Sequence, residues 1–171
     1  MAFGAAIIRF RAVVLGLMLL ALAPARPGIA AVQLLPPAAE VPTGWLGDLS
    51  AAQAQARATN RPLLVVFSGS DWCKPCIMYE QEVFAQPDFM AFAKDRLVLA
   101  HFDFPRLKKN QPSAAQLKLN EAAAAQLNRA GDFPLVVIIS PEGKVLAKTG
   151  YLAGGPAAFT AYLKQVVPTL P

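Results

Sequence analysis

Both cysteines of the chain, Cys73 and Cys76, fall in the stretch GSDWCKPCIMYE (69–80), three positions apart. Two thiols at that spacing can do three kinds of chemistry: hold part of a metal site, form a small structural disulfide, or open and close as a redox pair. A structural zinc needs four ligands, and the sequence offers only these two cysteines and one histidine, His101. A c-type haem attachment needs histidine directly after the second cysteine, where the chain has Ile77. Copper transfer through Cys73, Cys76 and His101 is a weaker reading, because the histidine lies within a strand whose orientation the sequence does not give. No metal and no bound cofactor is therefore expected.

The structural disulfide returns little energy, since closing so short a ring contributes only about 2 kcal/mol, against about 3 for a fifteen-residue loop. The redox reading turns the same closeness to use. Cysteines at i and i+3 around a helix start lie near the 5–6 Å Cα separation that a disulfide prefers, so the bond can form and break with little backbone motion. Unpaired N–H groups at a helix N-terminus favour the thiolate, and Lys74 adds a positive charge. Lowering a thiol from about 8.5 to about 7 takes roughly 2 kcal/mol, within reach of a helix end and one cation. Cys73, nearer the preceding strand and the more exposed, is then the attacking thiolate, and Cys76, one turn in, resolves the mixed disulfide.

The elements that must position such a pair are legible on either side. RPLLVVFSG (61–69) is a continuous aliphatic run of the kind buried on both faces of an α/β sheet, and the helix after it starts near Cys73, so that Pro75 falls in its first turn, where proline is tolerated. The apolar positions Ile77, Met78, Val83 and Phe84 fit a single helix only loosely. A helix over 48–60 with Asp48 or Ser50 as N-cap, a helical segment from Pro87, a strand over 97–104, a helix over 113–128, a hairpin of 135–140 and 144–149 around PEGK, and a closing helix over 154–167 complete the chain. The order α-β-α-β-α-β-β-α implies one central sheet with helices on both faces.

The N-terminus carries a different signal. Arg9 and Arg11 precede an uncharged, mostly apolar run from Ala12 to Ala23, too short for the about 20 residues of a bilayer span but suited to an export signal cut after Ala30 or Ala31. Residues 1–30 are expected to be removed, 31–47 to form a Pro/Gly-rich linker or arm, and 48–171 to form the domain, with no stable membrane span left. Removal takes away Arg9, Arg11 and Arg26 and no acid, lowering the formal charge from +5 to +2. With Lys108 and Lys109 as the adjacent basic pair that remains, there is no footprint for nucleic acid. The location expected is periplasmic or secreted, and with no odd cysteine a monomer is expected.

The strand RPLLVVFSG, then SDWCKPC, then a helix, with FPLVVIISPEGKVL about sixty residues later, resembles the thioredoxin family. The likeness is strongest to exported thioredoxin-like proteins with a G-S-x-W-C-x-x-C stretch ending in E-V-F and a later D-F-P, here Gly69–Phe84 and Asp103–Pro105. The resemblance covers roughly residues 45–167. It implies a thioredoxin fold with a mixed sheet and a thiol–disulfide oxidoreductase acting on protein thiols or disulfides, supplied or drained of electrons by a separate redox protein. Cys73 is then the nucleophile and Cys76 the resolving thiol, with Trp72 flanking the site. Pro134 is the cis-proline, and Phe133 before it offers its backbone to an extended peptide. The family's buried aspartate is replaced by Val66, leaving Asp71, Glu80 or Glu82 as candidate acids. Lys74-Pro75 stands between the cysteines in place of Gly-Pro, and proline before the second cysteine leans towards the reducing members. The alternative is a binding or chaperone module of the same fold whose cysteines stay paired.

Overall fold

The computed structural model describes residue 1 and residues 41–170. The export segment, its cleavage site and residues 31–40 of the arm lie outside the described residues.

Helix α1 (Leu49–Thr59) starts at Asp48, whose carboxylate accepts from the Ser50 and Ala51 N–H groups at 2.8 and 3.3 Å, and stops where Asn60 turns left-handed at φ 51°. Of the two candidate caps it is thus Asp48 that acts. Strand β1 (Leu63–Ser68) is buried along its whole length. It leads through the Gly69–Trp72 loop into α2 (Lys74–Tyr79), a π-helical turn (Glu80–Phe84) and α3 (Pro87–Ala93). Then come β2 (Val98–Asp103), a 3₁₀ turn (Lys108–Asn110), α4 (Ala114–Leu127) capped by Ser113, β3 (Leu135–Ile139), β4 (Val145–Thr149) and α5 (Gly155–Val166).

The π turn explains the loose helical pattern after Cys76. It inserts one extra residue per turn, so Tyr79, Val83 and Phe84 all face inward although no straight 3.6-residue period places them together. The chain then breaks at Gln86 and restarts with Pro87 in the first turn of α3.

The strands form one mixed sheet in the order β2-β1-β3-β4, with β1 parallel to β2 and the other pairs antiparallel. The turn of the β3–β4 hairpin rests on Gly143 at φ 95° and on the Ser140 N–H donating to the Lys144 carbonyl, a positive φ that glycine adopts without a Cβ penalty. Alternate residues of β1 feed two cores. Leu64 and Val66 pack with Tyr79, Phe84, Phe89, Phe159 and Leu163 on the face covered by α2, α3 and α5. Leu63, Val65 and Phe67 pack with Ala52, Ala56 and Ala123 on the face covered by α1 and α4.

The last residues of the arm are part of this domain. Trp45 is buried, with its ring edge-on to Phe84 at 5.6 Å. Leu46 extends the sheet beyond β2, its N–H donating to the Leu99 carbonyl and its carbonyl accepting from the His101 N–H, both at 2.9 Å. An otherwise bare strand edge is thereby partly covered. Among the described residues no helix is long and apolar enough to cross a membrane.

Because β1 and β2 are parallel and β3 runs against them, the C-terminal ends of the first two and the start of the third meet at one sheet end. The Gly69–Trp72, Asp103–Pro105 and Asp132–Pro134 segments follow or precede those ends directly.

Candidate active site

At this end Cys73 is the N-cap of α2 and is joined to Cys76 in a disulfide, with Cα atoms 5.2 Å apart. The Cys76 N–H points back at Cys73, donating to its carbonyl at 2.9 Å and lying 3.3 Å from its Sγ. Pro75 sits in the first turn, where an N–H would have no helical partner anyway. Lys74 and Pro75 are exposed, while Cys73 and Cys76 are 4% and 3% exposed. The expected contrast between an open Cys73 and a sheltered Cys76 is absent in the disulfide form, where the bond holds both residues together in the buried helix start.

Trp72 is fixed from two sides. Its Nε1–H donates to the Phe104 carbonyl at 2.7 Å, and its ring lies so close to Gly69 that a Cβ there would stand 2.4 Å from a ring carbon. The glycine is required for this close approach. Phe133 meets Trp72 edge-on at 5.3 Å and Phe104 at 5.5 Å, and the Phe133–Pro134 bond is cis. The loop leading into that bond is clamped by buried Asn128, which donates from Nδ2 to the Asp132 carbonyl at 2.8 Å and accepts the Asp132 N–H at 2.9 Å. Sequence reading passed over Asn128, although an asparagine at a helix end before Gly-Asp is a recognisable turn former.

The three candidate acids separate in space. Asp71 accepts from the Arg106 N–H (2.8 Å), the Leu107 N–H (2.9 Å) and Asn110 Nδ2 (3.0 Å), and these bonds, the Arg106 one foremost, hold its carboxyl below the usual range. Glu82 accepts from the Tyr151 hydroxyl. Glu80 lies with Cys76 in a cleft of about 390 Å³ that is also lined by Ser68, Ser70, His101 and Asp103. Burial, and secondarily the charge of Asp103, pushes its carboxyl upward.

The cleft is built from β2. Asp103 accepts from the Ser70 N–H at 2.8 Å and the Ser70 hydroxyl at 2.5 Å, tying the end of β2 to the cysteine loop. Its carbonyl accepts from Asn120 Nδ2 at 2.7 Å, and Asn120 in turn accepts from Gln116, which also donates to the Gly47 carbonyl. These buried amides one turn apart on α4 were missed by sequence reading. Their signal was faint, two polar residues at i and i+4 in an alanine-rich helix. His101 is buried edge-on against Trp45. Burial pulls its imidazole down to about 4, against a smaller opposing effect of Asp103, so the ring is neutral near pH 7. Among the described residues no three Cys, His, Asp or Glu side chains are grouped to hold a metal ion.

Two cysteines at a β1–α2 junction, beside a cis-proline loop on the neighbouring strand, define a thioredoxin-fold thiol–disulfide oxidoreductase. The chain belongs to the thioredoxin-like family, which it matches over residues 44–141. It is 34% identical over 116 residues to the disulfide bond reductase DsbH of Chlamydia pneumoniae, covering 68% of each chain. A solved DsbH oxidoreductase structure superposes with a TM-score of 0.66 at 31% identity, over 81% of this chain and 93% of that one. The thioredoxin-related protein DsbJ of Chlamydia pneumoniae is 26% identical over 62% of this chain, which spans only 30% of that protein's length.

Proposed function

We propose that the protein exchanges disulfides with protein thiols outside the cytoplasm, in the reducing direction, with Cys73 as nucleophile and Cys76 as resolving thiol. The carrying observation is the Cys73–Cys76 pair capping α2 beside the cis-Pro134 loop. In the dithiol form the Cys73 thiolate attacks one sulfur of a substrate disulfide. That S–S bond breaks, a mixed disulfide to Cys73 forms, and the first substrate thiolate leaves and takes up a proton. Cys76 then loses its proton to Glu80 and attacks the Cys73 sulfur, releasing the second substrate thiolate and leaving the Cys73–Cys76 disulfide. Two electrons pass to the substrate, and a separate redox protein returns them to the pair.

Glu80 fits the proton-accepting role because it shares the cleft with Cys76 and because burial raises its carboxyl towards the working range. Trp72, Phe133 and Pro134 form the surface that receives the substrate as an extended segment, Phe133 through its backbone. Lys74 and Pro75 tune the pair, and Asp71 does so indirectly by holding the neighbouring loop. Residues 1–30 act as a cleaved export signal, 31–47 lead into the domain at 48–171, and pairing of both cysteines within the chain supports a monomer.

A Cys76→Ser variant tests the order of attack. It is expected to accumulate mixed disulfides to Cys73 when offered a disulfide-containing protein, seen as a mass increase reversed by dithiothreitol. Failure to trap any adduct, while Cys73→Ser traps one through Cys76, would reverse the assignment.

A further inference from the structure

The loop after β2 reads Pro105-Arg106-Leu107-Lys108-Lys109-Asn110, and from Arg106 to Asn110 it is exposed. In an isolated loop these cations would be solvated and mobile, but here the loop is tied to the cysteine loop by the three bonds that Asp71 accepts from Arg106, Leu107 and Asn110. Its first cation is therefore placed: the Arg106 guanidinium carbon stands 4.0 Å from the centre of the Trp72 ring. Trp72 is itself fixed by Phe104 and directly precedes Cys73.

A guanidinium stacked on an indole uses its flat face for the ring and leaves its N–H edge free in the plane, the edge that matches a carboxylate with two parallel hydrogen bonds. The acid that ties this loop does not occupy that edge. Asp71 is engaged by backbone N–H groups and by Asn110, and among the described residues the Arg106 guanidinium meets no hydrogen-bond acceptor. Lys108 and Lys109 follow in the 3₁₀ turn and add positive charge to the same rim.

We infer that Arg106, held over Trp72 by the Asp71-tied loop, is a specificity-determining residue that receives the carboxylate of an Asp or Glu beside the reacting cysteine of a substrate protein. This rests on the disulfide-exchange reading above. One exposed charge-assisted contact of about 1 kcal/mol corresponds to roughly a 5-fold preference.

The test uses the reduced protein and two disulfide peptides, identical except that the residue beside the cysteine is Glu in one and Gln in the other. The readout is the ratio of their kcat/KM values, in which the intrinsic reactivity of Cys73 cancels. The wild type should prefer the Glu peptide by about 3- to 10-fold, with the gap narrowing as salt rises. In Arg106→Met, which keeps an apolar stem on the indole, the ratio should fall to about one; in Arg106→Lys it should be intermediate, because the planar fork is gone. Equal rates in the wild type, or a preference that survives Arg106→Met, overturn the inference and leave the exchange chemistry standing. Reduction of neither peptide overturns the exchange reading together with the inference.

Discussion

Glu80 shows how a candidate acid can be present in the sequence and still be unranked there. Three carboxylates flank the cysteines, and sequence alone ranks none of them. Position in space does: Asp71 is consumed by the 106–110 loop, Glu82 by Tyr151, and Glu80 one helical turn after Cys76 shares its cleft. Burial raises the Glu80 carboxyl, and a carboxylate with a raised pKa is the stronger proton acceptor for a thiol. In Glu80→Gln the attack of Cys76 on a mixed disulfide should slow by about 100-fold at pH 7, the low end of general-base effects. It should recover as pH rises towards the cysteine's own pKa. Stopped-flow release of a labelled peptide from Cys73 measures this, and a rate unchanged at pH 7 would remove Glu80 from the mechanism.

Among the elements, the β1–α2 junction is the most tightly specified, and its glycine and its acid do separate jobs. Gly69 allows the Trp72 ring to lie against the backbone, and that ring cannot retreat without giving up its bond to the Phe104 carbonyl. Gly69→Ala should therefore cost about 1–3 kcal/mol in urea denaturation, as overpacking does, and shift the Trp72 emission. A stability within a few tenths of wild type would mean that the ring moves freely. Asp71→Ala should leave the sheet intact but release the loop, seen as faster amide hydrogen exchange at Arg106 and Leu107 with β2 unchanged. Equal protection in the variant would show that the loop holds itself.

Most of these elements were legible because each has a simple local cause: an aliphatic run for β1, Asp48 as the cap of α1, an alanine-rich composition for α4, Pro-Glu-Gly for the hairpin. The π turn was not, since an inserted residue erases the period that sequence reading depends on, and Trp45 packing on Phe84 was not, since nothing local says that a Pro/Gly-rich arm will dock. At the site, the cysteines and cis-Pro134 were carried by a motif. The hydrogen bonds of Asp71, Asp103, Gln116 and Asn120 join segments far apart in sequence, which no local pattern encodes.

On the scale of the whole molecule, the sheet is covered on both faces and so carries a buried histidine as a neutral group. His101 titrates near 4 when folded and near 6.5 when unfolded. Between those values the unfolded chain binds the proton and the native one does not, so stability falls as pH drops from about 6.5 to 4 and the effect levels off below. The full loss is on the order of 3 kcal/mol. Urea midpoints at pH 7.5, 5.5 and 4.5 should fall more steeply in the wild type than in His101→Gln, the carboxylates common to both cancelling. Parallel slopes would mean that His101 can be charged in place.

The arrangement as a whole, a dithiol at a helix start beside a cis-proline loop and above a half-buried acid, is that of a pair that cycles. Its central claim is most directly tested by the reduction potential of Cys73–Cys76, from equilibration with graded thiol–disulfide buffers and trapping of free thiols. A value between about −120 and −270 mV, in the range of exchange catalysts, is the result predicted, with the reducing end favoured. A value below about −300 mV, the range of structural disulfides, would contradict it and leave a binding module with a permanent crosslink.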